Sequence, residues 1–215
     1  MPATPDRTGA QTRQAIIDTA ARVFRDKGYE RATLGEIAEV LGITRPAVLH
    51  HFASKEALLR EVVTPLVTAI DDLLDRREAA GALTPRARRP FLVEVVNVIC
   101  DHPDATAITA FDSAIRHRLE PTAQITARGA RFARLATTNQ DDPQAVVRAF
   151  CALGAMLRPV YAPAGIIDLD DPDVRRSIVD CAMAVYGTAP RATRAPRATT
   201  TPSSPVEGSA APTPE

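Results

Sequence analysis

The stretch TLGEIAEVLGITRPAVLHHFASKEALL, residues 33–59, decides the architecture. It opens on a capping box, in which the Thr33 hydroxyl accepts from the backbone at Glu36 and the Glu36 side chain reaches back to the Thr33 amide. A short helix follows through Leu41 and stops at Gly42. Thr44 caps a second helix, with Pro46 tolerated because first-turn amides have no intrahelical partner. Ile37, Ala38, Leu41, Ile43, Val48 and Phe52 are apolar where these two helices must touch. Ala38 is small at the close crossing, and Gly42 permits the sharp turn. The pattern is a helix-turn-helix. Ser54 then caps a long helix from Lys55 to about Ala80, closed by Gly81.

The second short helix leaves Thr44, Arg45, Pro46, Ala47, His50 and His51 facing outward. Short side chains and one arginine can enter a major groove without clashing. Arg45 can then offer two donors to a guanine edge, while Thr44, His50 and Lys55 suit phosphates. Lys55 also stands at a helix start, where exposed amides favour an anion. Metal binding by His50 and His51 is disfavoured: adjacent helical residues point about 100° apart, whereas ligands converge at a spacing of three or four.

The rest of the chain reads as helices. Ile16, Ile17, Ala20, Val23 and Phe24 fall at helical spacing and stop at Lys27-Gly28. FLVEVVNVIC, residues 91–100, is apolar at all but Glu94 and Asn97, and its β-branched residues would allow a strand. No partner strand is in sight, so it reads as a buried helix ending before His102-Pro103. Asp142-Pro143 and Asp171-Pro172 each put a capping carboxylate before a first-turn proline. They open two helices, roughly 143–161 and 172–186, with stripes at Val146, Phe150, Leu153, Leu157, Tyr161 and at Val174, Ile178, Cys181, Val185. Pro65 lies inside the long helix, where it removes the bond to the Glu61 carbonyl and should bend the chain.

Bulk properties narrow the class. The 215 residues are 45% apolar with a formal net charge of zero, so any affinity for nucleic acid must come from a local patch. Cys100, Cys151 and Cys181 are scattered, which suits a reducing cytoplasm and argues against a disulfide or cysteine-zinc framework. The N-terminus has no apolar signal region, and no apolar run approaches the roughly 20 residues that span a bilayer. A soluble cytoplasmic protein is expected. No nucleophile or glycine-rich phosphate loop stands in a catalytic setting, so an enzyme is not expected, nor is a cofactor or a metal. Cys100-Asp101-His102 reads as a buried thiol beside a turn, and Arg86, Arg88 and Arg89 as a solvated helix start. From Thr188 onward, Pro, Thr, Ala and Ser dominate, and the tail is expected to be disordered.

With these residues in place, the chain resembles the tetracycline-repressor (TetR) family of bacterial transcription regulators. Thr33, Ala38, Gly42, Thr44, His51, Phe52, Lys55, Glu56 and Leu58 fall on that family's pattern, as do Phe24, Gly28 and Tyr29 in the preceding helix. The resemblance covers roughly residues 13–60. It implies an all-α chain of about nine helices: a loose arm over 1–10, a three-helix DNA-binding domain over 11–54, a larger ligand-binding and dimerisation domain over 55–187, and the tail over 188–215. The DNA-contacting set it implies is Thr33, Thr44, Arg45, Pro46, Ala47, His50, His51 and Lys55. The chain departs from the pattern at Leu49, where a phosphate-bonding tyrosine is usual, and at Pro46, where a small residue such as glycine is common. His50 is the candidate to replace the lost contact.

The resemblance also implies a homodimer, since one recognition helix reads too few base pairs alone. The implied interface is a four-helix one from the last two helices, drawing on Phe150, Leu153, Gly154, Leu157, Val174, Ile178, Cys181 and Val185. It further implies an effector cavity between about 87 and 161, with Phe91, Val95, Phe111, Ile115, Phe132, Met156 and Tyr161 as candidate walls and Asn97 or Arg118 as anchors. Few aromatics and no tryptophan point to a modest apolar effector. The implied function is a homodimeric repressor released from a palindromic double-stranded operator by a small molecule, with no membrane partner. An activator, or a regulator answering to a protein partner, is the alternative.

Overall fold

A computed structural model of the protein describes residues 8–111, 115, 124–137, 141–163 and 165–187. Among them are nine α-helices and no strand. The first, α1 (Gly9–Lys27), begins inside the stretch expected to be a loose arm. The cause is a second capping box: the Thr8 hydroxyl accepts from the Gln11 amide, and Gln11 Oε1 accepts from the Thr8 amide at 2.9 Å. Gly28 closes α1 at a φ of 78°.

The helix-turn-helix follows. In α2 (Leu34–Leu41), the Thr33 hydroxyl accepts from the Glu36 amide at 3.2 Å and Glu36 Oε2 accepts from the Thr33 amide at 2.9 Å. Gly42 ends it in the left-handed region at φ 67°, which a β-carbon would strain. Thr44 caps α3 (Arg45–His51), with proline in its first turn. Ser54 caps α4 (Lys55–Ala79), which contains Pro65.

Beyond α4 the chain builds a second layer. Thr84 caps α5 (Pro85–Asp101), and its β-branched run is helical, burying Phe91, Leu92, Val95, Val96, Ile99 and Cys100 on one face. It is followed by α6 (Pro103–Phe111), α7 (Ile125–Ala136), α8 (Pro143–Leu157) and α9 (Pro172–Gly187). The helix expected over 143–161 stops earlier. Pro159 has no amide to continue the ladder, and residues Arg158–Tyr161 tighten into a 3₁₀ turn.

Two cores result. Ile16, Phe24, Ile37, Val48 and Leu58 centre the first, and Leu73, Leu74, Leu92, Ala152, Met156 and Ala182 the second. Helix α4 belongs to both, burying Leu58, Leu59, Val62 and Val63 in the first and Leu73 and Leu74 in the second. Ile108 of α6, and Ile115, also insert into the first core. Truncating a buried leucine such as Leu58 to alanine typically costs about 2–5 kcal/mol. No helix among the described residues is long and apolar enough to cross a membrane.

Candidate nucleic-acid interface

Helix α3 is fixed from beneath and open above. Val48 is fully buried and anchors it, while the Thr44 hydroxyl accepts from the Ala47 amide at 3.3 Å and sets its first turn. Thr44, Arg45, Pro46, Leu49 and His50 are exposed, and Ala47 and His51 half-buried. The guanidinium of Arg45 has no ion pair among the described residues, so its fork of donors is available to a base edge. His51 turns inward: its ring lies 6.5 Å from that of Phe52 and meets His50 edge-on at 5.4 Å.

Besides Thr44, two residues of the expected contact set have structural duties. Thr33 is the exposed cap of α2, and its partner Glu36 is also gripped by Lys27 at 2.7 Å. The Lys27 hydrogen bond first, and the Thr33 amide second, hold the Glu36 carboxyl below the usual carboxylate range. Lys55 is turned away from the phosphate role that its place at a helix start suggests. Its ammonium donates to the carbonyls of Tyr29 at 2.8 Å, Ala32 at 3.0 Å and Glu30 at 3.4 Å.

A cavity of about 140 Å³ lies among α4, α5, α6 and α7, bordered also by α8. Of the expected wall residues, Val95 and Phe132 line it. Phe91 stands behind, stacked on Phe132 with centroids 5.7 Å apart. Met156 is fully buried in the second core and Ile115 in the first. Asn97 borders a different groove beside Arg175, and Tyr161 is half exposed on the 3₁₀ turn with Arg158 against its ring. Phe111 closes α6, and Arg118 lies outside the described residues.

The residues missed include Leu66, Val67, Ile70, Thr106, Thr109, Arg128 and Gly129. The spacing of Leu66, Ile70, Leu73 and Leu74 along α4 carried the signal for one wall. Nothing local marks Arg128.

Helices α8 and α9 pack on each other and on α5. Their outer face leaves Val147 60% and Phe150 48% exposed, beside exposed Cys151, Gly154, Cys181 and Ala184. The expected interface set divides here. Phe150, Gly154 and Cys181 face outward, whereas Leu153 and Leu157 line the cavity and Ile178 is buried in the second core. Val174 and Val185 are half-buried against that core. Val147 is the outward apolar residue that the stripe missed, one position from Val146. Among the described residues no group of three or more His, Cys, Asp or Glu side chains could hold a metal ion.

The geometry defines an all-α protein with an N-terminal helix-turn-helix whose second helix is presented to solvent. Residues 16–62 match the model of the bacterial regulatory proteins of the tetR family. The chain is 36% identical over 88 residues to the probable HTH-type transcriptional regulator ArpR of Pseudomonas putida, covering 40% of this chain and 42% of that one. It is 26% identical over 192 residues to the HTH-type transcriptional repressor Rv1474c of Mycobacterium tuberculosis, covering 82% and 100%. The crystal structure of Mycobacterium smegmatis AmtR superposes with a TM-score of 0.61 at 20% identity, covering 88% and 91%. Over residues 16–62 the chain is therefore similar to the bacterial regulatory proteins of the tetR family. The stretch matched in ArpR spans less than half of that relative's length.

Proposed function

We propose that this protein is a DNA-binding transcription regulator that acts in the cytoplasm as a homodimeric repressor and is released from a palindromic operator by a small-molecule effector. The observation that carries the reading is α3: an uncommitted Arg45 on a helix of otherwise short or uncharged outward side chains, held rigid by Val48. Arg45 would read a guanine, Pro46 and Ala47 would lie close to base edges, and Thr44 and His50 would meet phosphates. Residues 11–54 would serve DNA and 55–187 regulation, with α4 joining the two, since the first core reaches into it as far as Val63.

Supporting pairing, Val147 and Phe150 form an apolar outer face on α8 next to α9, suited to a two-fold four-helix contact. Supporting an effector, α6 presents Thr106 and Thr109 to the cavity while its Ile108 sits in the first core and its Asp104 pairs with Arg25 of α1. Filling the cavity would displace α6 and the cavity-lining half of α4, and with them the spacing of the two α3 helices.

Footprinting on genomic fragments captured by the purified protein tests this. Protection of two inverted half-sites about one helical turn apart, with two chains per site, is expected. Protection of a single half-site, or none, would overturn it.

A further inference from the structure

The cavity beside α7 is suited to one kind of ligand, an inference that rests on reading this cavity as the effector site. Its walls are mostly carbon, and among the described residues only Thr106, Thr109 and Arg128 bring polar side chains to it. Both threonine protons are committed. Thr106 Oγ1 donates to the Ile99 carbonyl at 3.3 Å, and Thr109 Oγ1 donates to the Ala105 carbonyl at 2.8 Å.

Arg128 differs. Its Nε donates to Asp71 Oδ1 at 2.7 Å and its Nη2 donates to Asp71 Oδ2, so one carboxylate already balances the guanidinium. Its Nη1 is buried and meets no acceptor among the described residues. A buried donor without an acceptor is costly, and a ligand oxygen that reached it would relieve that cost.

Charge then decides the class. A carboxylate ligand would bring a second negative charge to a guanidinium already matched by Asp71, and would surrender its hydration to walls of leucine, isoleucine and valine. A cationic ligand would find no free carboxylate among the described residues that line the cavity, because Asp71 is taken. A neutral carbonyl oxygen gives up little hydration and satisfies Nη1. Size sets the other bound: an apolar cavity of about 150 Å³ accommodates a benzene ring, and this one is about 140 Å³.

We propose that the effector site takes a small neutral molecule, an apolar body of about one benzene ring carrying a single carbonyl oxygen that accepts from Arg128 Nη1. Gly129, next to Arg128 on the cavity wall, supplies the steric control. A β-carbon there meets nothing within 4 Å, so a larger side chain enters open space instead of clashing.

The test is calorimetric titration of the full chain with three probes of nearly one shape: ethylbenzene, acetophenone and benzoate. Acetophenone is expected to bind about tenfold tighter than ethylbenzene, the size of one hydrogen bond from a charged donor, and benzoate weakest of the three. Arg128→Met paired with Asp71→Asn should bring acetophenone and ethylbenzene within about twofold. Gly129→Leu should abolish binding of all three with helical content and DNA binding retained. Preference for benzoate, or equal affinity for ketone and hydrocarbon, would overturn the ligand class, and sensitivity to Gly129→Leu would still support the cavity as the effector site. No binding by any probe, with DNA binding intact, would overturn class and cavity together and leave the DNA reading in place.

Discussion

The ammonium of Lys55 lies 2.8 Å from the carbonyl oxygen of Tyr29 and 4.2 Å from the centre of its ring. With the Ala32 and Glu30 carbonyls also within reach, Lys55 ties the start of α4 to the turn between α1 and α2. It therefore holds the frame on which α3 is mounted.

Lys55→Met is accordingly expected to destabilise the fold by about 2 kcal/mol, the scale of hydrogen bonds from a charged donor. The salt dependence of DNA binding should stay unchanged. His50→Ala, by contrast, removes one proposed phosphate contact and should reduce the salt slope by about one. Melting curves and DNA titrations at several salt concentrations check both. A shallower slope in Lys55→Met would return that residue to the phosphate.

The outer face of α8 is expected to hold the dimer. Phe150→Glu combined with Val147→Glu places charge on the two large exposed apolar side chains there and should yield monomers by analytical ultracentrifugation, with helical content intact. DNA affinity should fall at least about a hundredfold when the half-sites are no longer bound together. A dimer that survives both substitutions would place the interface elsewhere.

How much of this was legible in the sequence depends on the range of the interactions. Caps, the Gly42 turn and first-turn prolines act within four residues, so the helix-turn-helix and the helices opened by Asp142 and Asp171 could be read directly. Lys55 could not, because its partners lie 23 to 26 positions away. The cavity failed for the same reason. Arg128 meets Asp71 across 57 positions, and whether Phe91 or Phe132 borders the space depends on how α5 and α7 pack. On α8 the expected stripe mixed two faces: Leu153 and Leu157 turn to the cavity while Phe150 faces out, and Tyr161 lies past the helix end.

Pro65 stands where α4 passes between the cores, directly before Leu66 and Val67 of the cavity wall. It leaves the Glu61 carbonyl without its helical donor and makes a weak point there. Pro65→Ala restores the bond. The mutant should bind DNA as the parent does but lose part of the change in DNA affinity caused by saturating acetophenone, a coupling normally about 5- to 150-fold. An unchanged ratio in binding titrations would remove Pro65 from the lever.

The capping box of α2 predicts an acid-side pH dependence. The folded-state pKa of Glu36 is depressed, first by the Lys27 hydrogen bond and then by the Thr33 amide. Its contribution is therefore fully present above the ordinary glutamate pKa of about 4.3 and is lost as pH falls through the lower folded value. Glu36→Gln should flatten that part of the stability profile, measured by thermal unfolding between about pH 3 and pH 7. The parent and mutant curves running parallel through this window would contradict it.

Sequence selection by α3 turns on Arg45. Selection of binding sites from a random duplex library, run in parallel with the parent protein and Arg45→Ala at two salt concentrations, tests it most directly. The parent should recover one inverted repeat with a guanine in each half-site that survives the higher salt. The mutant should lose that guanine preference and about 1–3 kcal/mol per half-site. The same repeat recovered by both proteins, or no repeat from either, would contradict the reading of α3 as the helix that selects the sequence.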